Sequence, residues 1–156
     1  MLQKENTHNL KGASMLSGEN DCFFDHLNKA NRAAIRFWSE RINKFKVTTV
    51  QGMILYSLIK ECDGITSKGL GAKTLLDGAT LTGVLDRLEK GLLIERRPNP
   101  SDRRAILIVL TEKGKKMAIT IKEAAMQASK DFLKGLSRDD EKKLIEILDF
   151  IHQRLR

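Results

Sequence analysis

Residues 76–114, LDGATLTGVLDRLEKGLLIERRPNPSDRRAILIVLTEKG, decide how the rest of the chain is read. Asp77 suits a helix cap, because its carboxylate can accept from the first backbone N–H groups that a helix leaves unpaired. Behind it Leu81, Val84, Leu85 and Leu88 fall at i, i+3, i+4 and i+7, the spacing of one inward stripe. Ala79, Thr82, Gly83, Asp86 and Lys90 then face outward, with Thr80 and Arg87 on a flank. Gly91 is the expected stop. Beyond it the period changes to that of strands: residues 93–97 and 104–110 are β-branched and apolar, and residues 98–103 between them are rich in turn formers, which predicts a hairpin with a long tip. Thr111, followed by Glu112, caps another helix.

Working outward, Thr48-Thr49-Val50-Gln51 has the spacing of a capping box and opens a helix expected to reach about residue 62, where Asp63-Gly64 stops it. Ile65-Thr66-Ser67 offers the cap of a short helix of about eight residues ending near Leu75, although Gly69 and Gly71 within it each cost about 1 kcal/mol against Ala. Upstream, Phe24, Leu27, Asn31, Ala34, Trp38, Ile42 and Phe45 recur every three or four residues, and Phe23, Ala30 and Phe37 widen the stripe. That breadth predicts a helix buried on two sides, against its own core and against a partner chain. Downstream, Ala118, Ile121, Ala125, Ala128 and Phe132 carry a stripe to Gly135, and Ser137 caps a last helix with the narrow stripe Leu144, Ile147, Leu148, Ile151 and Leu155. Residues 1–19 show no sustained period and are expected to be a flexible arm.

Composition narrows the function. The 156 residues carry 28 Lys and Arg against 20 Asp and Glu, a formal charge of +8, which favours a polyanionic partner. No run approaches the roughly 20 apolar residues of a spanning helix. The polar N-terminus lacks the apolar stretch of a secretory signal, so the expected location is the cytoplasm. Cys22 and Cys62 are the only cysteines, too few for a disulfide framework or a metal site, and His8, His26 and His152 are scattered. No nucleophile and base pair, phosphate loop or cofactor motif is present, which argues against an enzyme.

Two short helices with a tight connection, the second capped and exposing small polar groups, followed at once by a basic hairpin, give the order of a winged helix-turn-helix. Short outward side chains such as Thr80, Thr82 and Gly83 let a helix backbone approach the edges of base pairs in a major groove. Residues 96–104 hold four Arg and one Asp, and an Arg on such a protruding turn can enter the negative minor groove. The expected fold class is therefore α+β, mostly α.

The segments LDGATLTGVLDRLE, GLLIERR, Asp102-Arg103-Arg104 and LTEKG within residues 76–114 resemble the signature of the MarR (multiple antibiotic resistance regulator) transcription factors. The resemblance implies a homodimer that binds double-stranded DNA carrying an inverted repeat and acts as a repressor. It implies dimerisation helices in residues 20–46 and 115–156 and a winged helix-turn-helix domain in residues 47–114. Residues 77–90 would be the recognition helix. In the wing, Asp102 would orient Arg104 at the minor groove beside Arg103, and Arg87 would contact phosphate. Ser67, Lys68, Ala79, Thr80, Thr82 and Gly83 complete the expected DNA contacts. Several members carry a larger side chain where Gly83 stands.

Other readings stay open at this stage. Some relatives, the organic hydroperoxide sensors, place a reactive Cys near the start of the first helix, where Cys22 stands, but the tyrosines that serve such a sensor are missing and the chain's one Tyr is Tyr56. The commoner family device is a pocket for a small aromatic or anionic effector, for which Arg32, Phe37, Trp38, Met53 and Tyr56 are candidates and His26 is a further anion holder. A membrane-surface role is disfavoured because the basic residues gather on the hairpin rather than along an amphipathic helix. A winged helix used only for protein contacts is a further alternative.

Overall fold

The structure, a computed structural model, describes residues 22–61 and 63–154. The expected arm of residues 1–19, Cys62 and Leu155 lie outside the described residues. The chain divides into two compact units, residues 1–33 and 34–156. In the first, Phe23 begins the helix α1 (Phe23–Ile42), and the side chains of residues 22–33 are exposed. Asp25 and Lys29 pair at 2.6 Å one turn apart, and Phe23 and Phe24 meet edge to face.

The second unit opens with the remainder of α1, a 3-10 turn (Asn43–Phe45) and Lys46 in the left-handed region. Then follow α2 (Thr49–Leu58), β1 (Ile65–Thr66), α3 (Ser67–Thr74), α4 (Gly78–Lys90), β2 (Ile94–Asn99), β3 (Asp102–Leu110), α5 (Glu112–Phe132) and α6 (Arg138–Arg154). The three strands form an antiparallel sheet in the order β1-β3-β2. Ile54, Leu55 and Leu58 of α2, Leu70 of α3, Leu81, Leu85 and Leu88 of α4, Ile94 and Ile108 of the hairpin, and Ala118 and Ile121 of α5 share one core, joined by Ile42.

Local chemistry explains where the elements start. Thr48 and Gln51 make the reciprocal capping box expected of them, Thr66 Oγ1 accepts from Gly69 N, Asp77 Oδ1 accepts from Thr80 N, and Thr111 Oγ1 accepts from Gly114 N. Ser137 Oγ accepts from Asp140 N at the start of α6.

Several ends differ from the expectations. Helix α2 stops at Leu58 instead of about residue 62, and the chain turns at Gly64 with φ +87°, where an added Cβ would lie 3.0 Å from the Ile108 carbonyl oxygen. Residues 65–66 pair with residues 107–108 as the short strand β1, which two residues could not announce by alternation. Gly91 closes α4 in a right-handed conformation, and the left-handed residue is Leu92 at φ 57°. The long hairpin tip is also absent. Pro98 pairs with Ile106 inside the ladder and only Pro100 and Ser101 form the turn; β2 is an edge strand, where a missing N–H is tolerated.

The end of α4 and the start of α5 are fastened at one place. Thr111 Oγ1 donates to Leu92 O at 2.7 Å, Thr111 N to Leu93 O at 3.2 Å and Lys113 Nζ to Gly91 O at 2.8 Å. Gly114 lets α5 pass so near that a Cβ there would run into the Leu93 carbonyl, whereas a Cβ at Gly83 would meet nothing within 4 Å. Helix α6 buries no side chain, and Leu144, Ile147 and Leu148 of its stripe lie exposed. In α1 only Ile42 is fully buried, so the stripe expected to be covered on two sides is mostly open in a single chain.

The two glycines should therefore respond oppositely in urea unfolding. Gly114→Ala should lower stability by more than about 2 kcal/mol through overpacking against backbone. Gly83→Ala should raise it by about 1 kcal/mol, the helix propensity that glycine forgoes. A Gly114→Ala protein as stable as the parent would refute the close approach.

Candidate nucleic-acid interface

Helix α4 presents the face that its sequence promised. Leu81, Val84, Leu85 and Leu88 are buried, while Ala79, Thr80, Thr82 and Arg87 are exposed and Gly83 is half-buried. The N-terminal end is held by Asp77, which accepts from both the amide of Thr80 (2.9 Å) and its hydroxyl (2.7 Å). The Thr80 hydroxyl, followed by its amide, holds the Asp77 carboxyl below the usual carboxylate range. Thr82 donates its own hydroxyl to Gly78 O at 2.8 Å. Ser67 and Lys68, exposed on the first turn of α3, line a shallow groove of about 340 Å³ with Gly78 and Thr82. The structure thus brings Ser67 and Lys68 beside the exposed face of α4.

The hairpin displays its arginines differently from the simple sum of charge. Arg96 bridges back to α4, pairing with Asp86 at 2.7 Å and with Glu89. The Asp86 hydrogen bond is the largest cause of a guanidinium held even more firmly protonated than usual. Arg97 pairs with Glu95 on its own strand. Two of the four arginines counted toward a polyanion are therefore neutralised within the fold. Asp86, read from the sequence as an outward residue, is one end of this strut. The signal that could have found it was the acidic pair at i and i+3 on α4, facing the strand that follows.

Arg103 and Arg104 lie on β3. The ladder runs in register to Pro98 and Ile106, then resumes at Asn99 and Asp102. Residues 103–105 of β3 consequently form a bulge with no opposite residue on β2, a device that bends a strand and re-aims its side chains. Asp102 Oδ1 accepts from the Arg104 backbone N–H at 3.0 Å, and Asn99 Oδ1 accepts from Ser101 N at 2.9 Å. Asp102 thus orients Arg104 through its backbone. No carboxylate among the described residues pairs with the Arg104 guanidinium, which is exposed.

The expected effector residues are only partly brought together. Phe37 and Trp38 line a cavity of about 200 Å³ with Ala34, Ala125, Ala128, Ser129 and Phe132. Phe132, assigned from the sequence only to a helix stripe, crosses Phe37 edge to face at 5.1 Å. Met53 and Tyr56 do not line this cavity: they lie on α2, where Met53 is exposed and Lys60 lies 5.9 Å over the Tyr56 ring. Arg32 and His26 are exposed in the first unit. The cation at the cavity is Arg41, stacked 3.2 Å over Phe37 and 3.9 Å from Asp131. A larger cavity of about 500 Å³ lies between the end of α2, the hairpin base and the start of α5. Its acidic side chains Glu61, Glu95 and Glu112 already pair with Lys73, Arg97 and Lys115.

Cys22 is exposed just before α1. An activated thiolate needs a nearby cation or donors at sulfur, and among the described residues no hydrogen bond reaches Cys22 Sγ. No group of three or more potential metal ligands occurs among the described residues, and no described helix is long and apolar enough to cross a membrane.

Comparison with known proteins agrees with this geometry. The MarR family profile matches residues 47–106. The organic hydroperoxide resistance transcriptional regulator of Bacillus subtilis is 31% identical over 136 residues, covering 85% of this chain and 90% of its own. The HTH-type transcriptional regulator SarZ of Staphylococcus haemolyticus is 29% identical over 130 residues, 83% and 85% of the two chains. A cysteine-to-serine variant of MarR from E. coli, crystallised with operator DNA, superposes with a TM-score of 0.74 at 26% identity, over 82% of this chain and 91% of that one.

The Asp77 cap carries a pH dependence whose sign follows from its lowered pKa. The cap's contribution is complete above the ordinary Asp value and is lost as pH falls through the lower folded value. Protection of the Thr80 amide from hydrogen exchange should therefore decline on acidification in the parent and lose most of that dependence in Asp77→Asn. Protection that ignores pH in the parent would contradict the assignment.

Proposed function

The chain belongs to the MarR family of winged helix-turn-helix transcriptional regulators, and from that premise we propose that it is a dimeric, sequence-specific DNA-binding repressor acting in the cytoplasm and tuned by a small effector. The observation that carries this reading is the pairing of a capped helix with an exposed face of small side chains and a hairpin whose bulge carries the unpaired Arg104. Residues 47–114 form the reading head, with α4 for a major groove and the β2–β3 wing for the adjoining minor groove. Ser67, Lys68, Ala79, Thr80, Thr82, Gly83 and Arg87 serve the first contact, and Asp102, Arg103 and Arg104 the second. The curated relatives named above are regulators, and a non-enzymatic role is proposed here too.

Dimerisation is proposed through residues 20–46 and 115–156. What supports it is the exposed apolar stripe of α6, since Leu144, Ile147, Leu148 and Phe150 on a one-chain surface leave an apolar patch that water disfavours. Two heads related by a twofold axis would meet major grooves roughly 34 to 36 Å apart on an inverted repeat. The effector is proposed to be a small aromatic molecule, with Arg41 beside Phe37 to meet an acidic substituent. Its binding would lower DNA affinity by linkage if it favoured a different spacing of the heads.

Recovery of genomic fragments by the purified protein, followed by salt titration on operator and scrambled duplexes, tests the DNA reading. Arg104→Ala should weaken both duplexes and reduce the magnitude of the log–log salt slope by about one unit, because one fewer cation approaches the phosphates. Asp102→Ala should weaken binding in the same direction with less change of slope, because an Arg104 on an unfastened backbone must be ordered on binding. Binding and slope untouched by Arg104→Ala would remove the wing from the interface.

In sedimentation the parent should be a dimer at micromolar concentration, and Leu148→Glu with Ile151→Glu should shift it to monomer with helicity intact. A parent that sediments as a monomer would overturn the interface.

A further inference from the structure

We infer that α4 selects A·T base pairs by methyl contacts and hydrogen-bond acceptance, with Thr82 and Thr80 packing against the 5-methyl groups of thymine. The inference rests on the reading of α4 as the helix that enters the major groove.

It begins with the destination of two protons. Thr82 Oγ1 stands 2.8 Å from the carbonyl of Gly78, and a carbonyl can only accept. Thr80 Oγ1 stands 2.7 Å from Asp77 Oδ2, and an ionised carboxylate can only accept. Asp77 stays ionised at neutral pH because these same bonds favour its charged form. Both hydroxyl protons are therefore spent within the helix. What each exposed threonine has left to offer is a γ-methyl group and oxygen lone pairs.

The first two turns of α4 itself offer no other donor side chain; the donors Ser67 and Lys68 stand across the groove on α3. Between Gly78 and Asp86 there is no Asn, Gln, Lys or Arg, so the bidentate contacts that commonly read guanine or adenine are missing from the first two turns. Ala79 adds another exposed methyl. Gly78 and Gly83 add no side chain, and a Cβ at either would meet nothing within 4 Å, so the backbone itself lies open to a close surface. Asp86 is engaged by Arg96, and the first free cation along the helix is Arg87, at the flank where phosphates run.

Base chemistry then discriminates. In the major groove guanine displays only the acceptors N7 and O6, which would face the lone pairs of the threonines. Adenine displays the N6 donor beside its N7 acceptor, and thymine a methyl group beside its O4 acceptor. An A·T pair satisfies both features at once: the amino group donates to a threonine oxygen, and the thymine methyl packs against a threonine methyl or Ala79. A C·G pair supplies one donor and two acceptors as A·T does, but no methyl, so the methyl contacts carry the discrimination.

Uracil differs from thymine by that methyl alone, which gives a direct test. An operator duplex recovered with the full-length protein is resynthesised with each thymine replaced singly by uracil. One or two thymines in each half-site should then bind about fourfold more weakly, the value of one methyl removed from an apolar contact. Thr82→Ser, which keeps the hydroxyl and drops the methyl, should abolish the uracil effect at its thymine. Thr82→Val, which keeps a methyl and removes the oxygen, should retain it while losing discrimination at the adjacent adenine. Operator binding in which no thymine senses uracil, or in which Thr82→Ser leaves the sensitivity unchanged, overturns this inference and leaves the DNA reading standing. Failure to recover any duplex overturns both.

Discussion

Three consecutive carbonyls, those of Gly91, Leu92 and Leu93, hold the molecule's function together. They follow α4, where a helix end leaves acceptors without partners. All three accept from the first residues of α5: Gly91 from the Lys113 ammonium, Leu92 from the Thr111 hydroxyl and Leu93 from the Thr111 amide. Leu92 N and Leu93 N meanwhile turn back to Glu89 O and Leu88 O. The end of α4, the root of the hairpin and the origin of α5 are thus one hydrogen-bonded knot. Gly114 is required because any side chain there would separate α5 from the Leu93 carbonyl. The start of α5 is therefore tied to the end of α4 by one backbone bond, Thr111 N to Leu93 O, and by two side-chain bonds.

The second attachment is Arg96. It ties the strand that leaves the knot to Asp86 and Glu89 on the helix that enters it, so helix and wing present themselves at a set angle. The pair is about one-third exposed on the Arg side and more on the acids, so its worth to stability is small, about 1 kcal/mol or less. Its structural consequence is larger than its energy. It also removes Arg96 from the positive charge available to a polyanion, as Glu95 does for Arg97. On the bulge, Arg104 remains exposed.

Much of this was legible in the sequence because the deciding signals are local. Caps at Thr48, Asp77 and Thr111, the i, i+3, i+4, i+7 stripe of Leu81 to Leu88 and the change of period after Gly91 each act over a few residues, and each appears in the structure. What was not legible depends on pairing at a distance. Strand β1 exists because Ile65 and Thr66 meet Ile108 and Leu107. The hairpin tip is shorter than its turn-forming residues suggest, because the edge position of β2 lets Pro98 continue the strand. The fate of the arginines was invisible to a count of charge, since Asp86 and Arg96 stand ten residues apart. Phe132 joins Phe37 and Trp38 at their cavity, and Met53 and Tyr56 do not, because helical spacing alone cannot say which neighbour a face meets.

A last tension lies inside α4. Gly78, Thr80, Thr82 and Gly83 are poor helix formers, and the two glycines alone cost about 2 kcal/mol relative to alanine. Neither glycine relieves a crowded contact, for both look into open space. The fold answers the weakness at the ends, with the Asp77 cap at one and the carbonyl knot at the other, and along the side, with the Arg96 strut. A helix made weak in its exposed middle and secured at its borders is what results when the middle is chosen for an outside surface. Small groups permit close approach, spent hydroxyls narrow the chemistry offered to methyls and acceptors, and the borders keep that narrow chemistry in register with the wing.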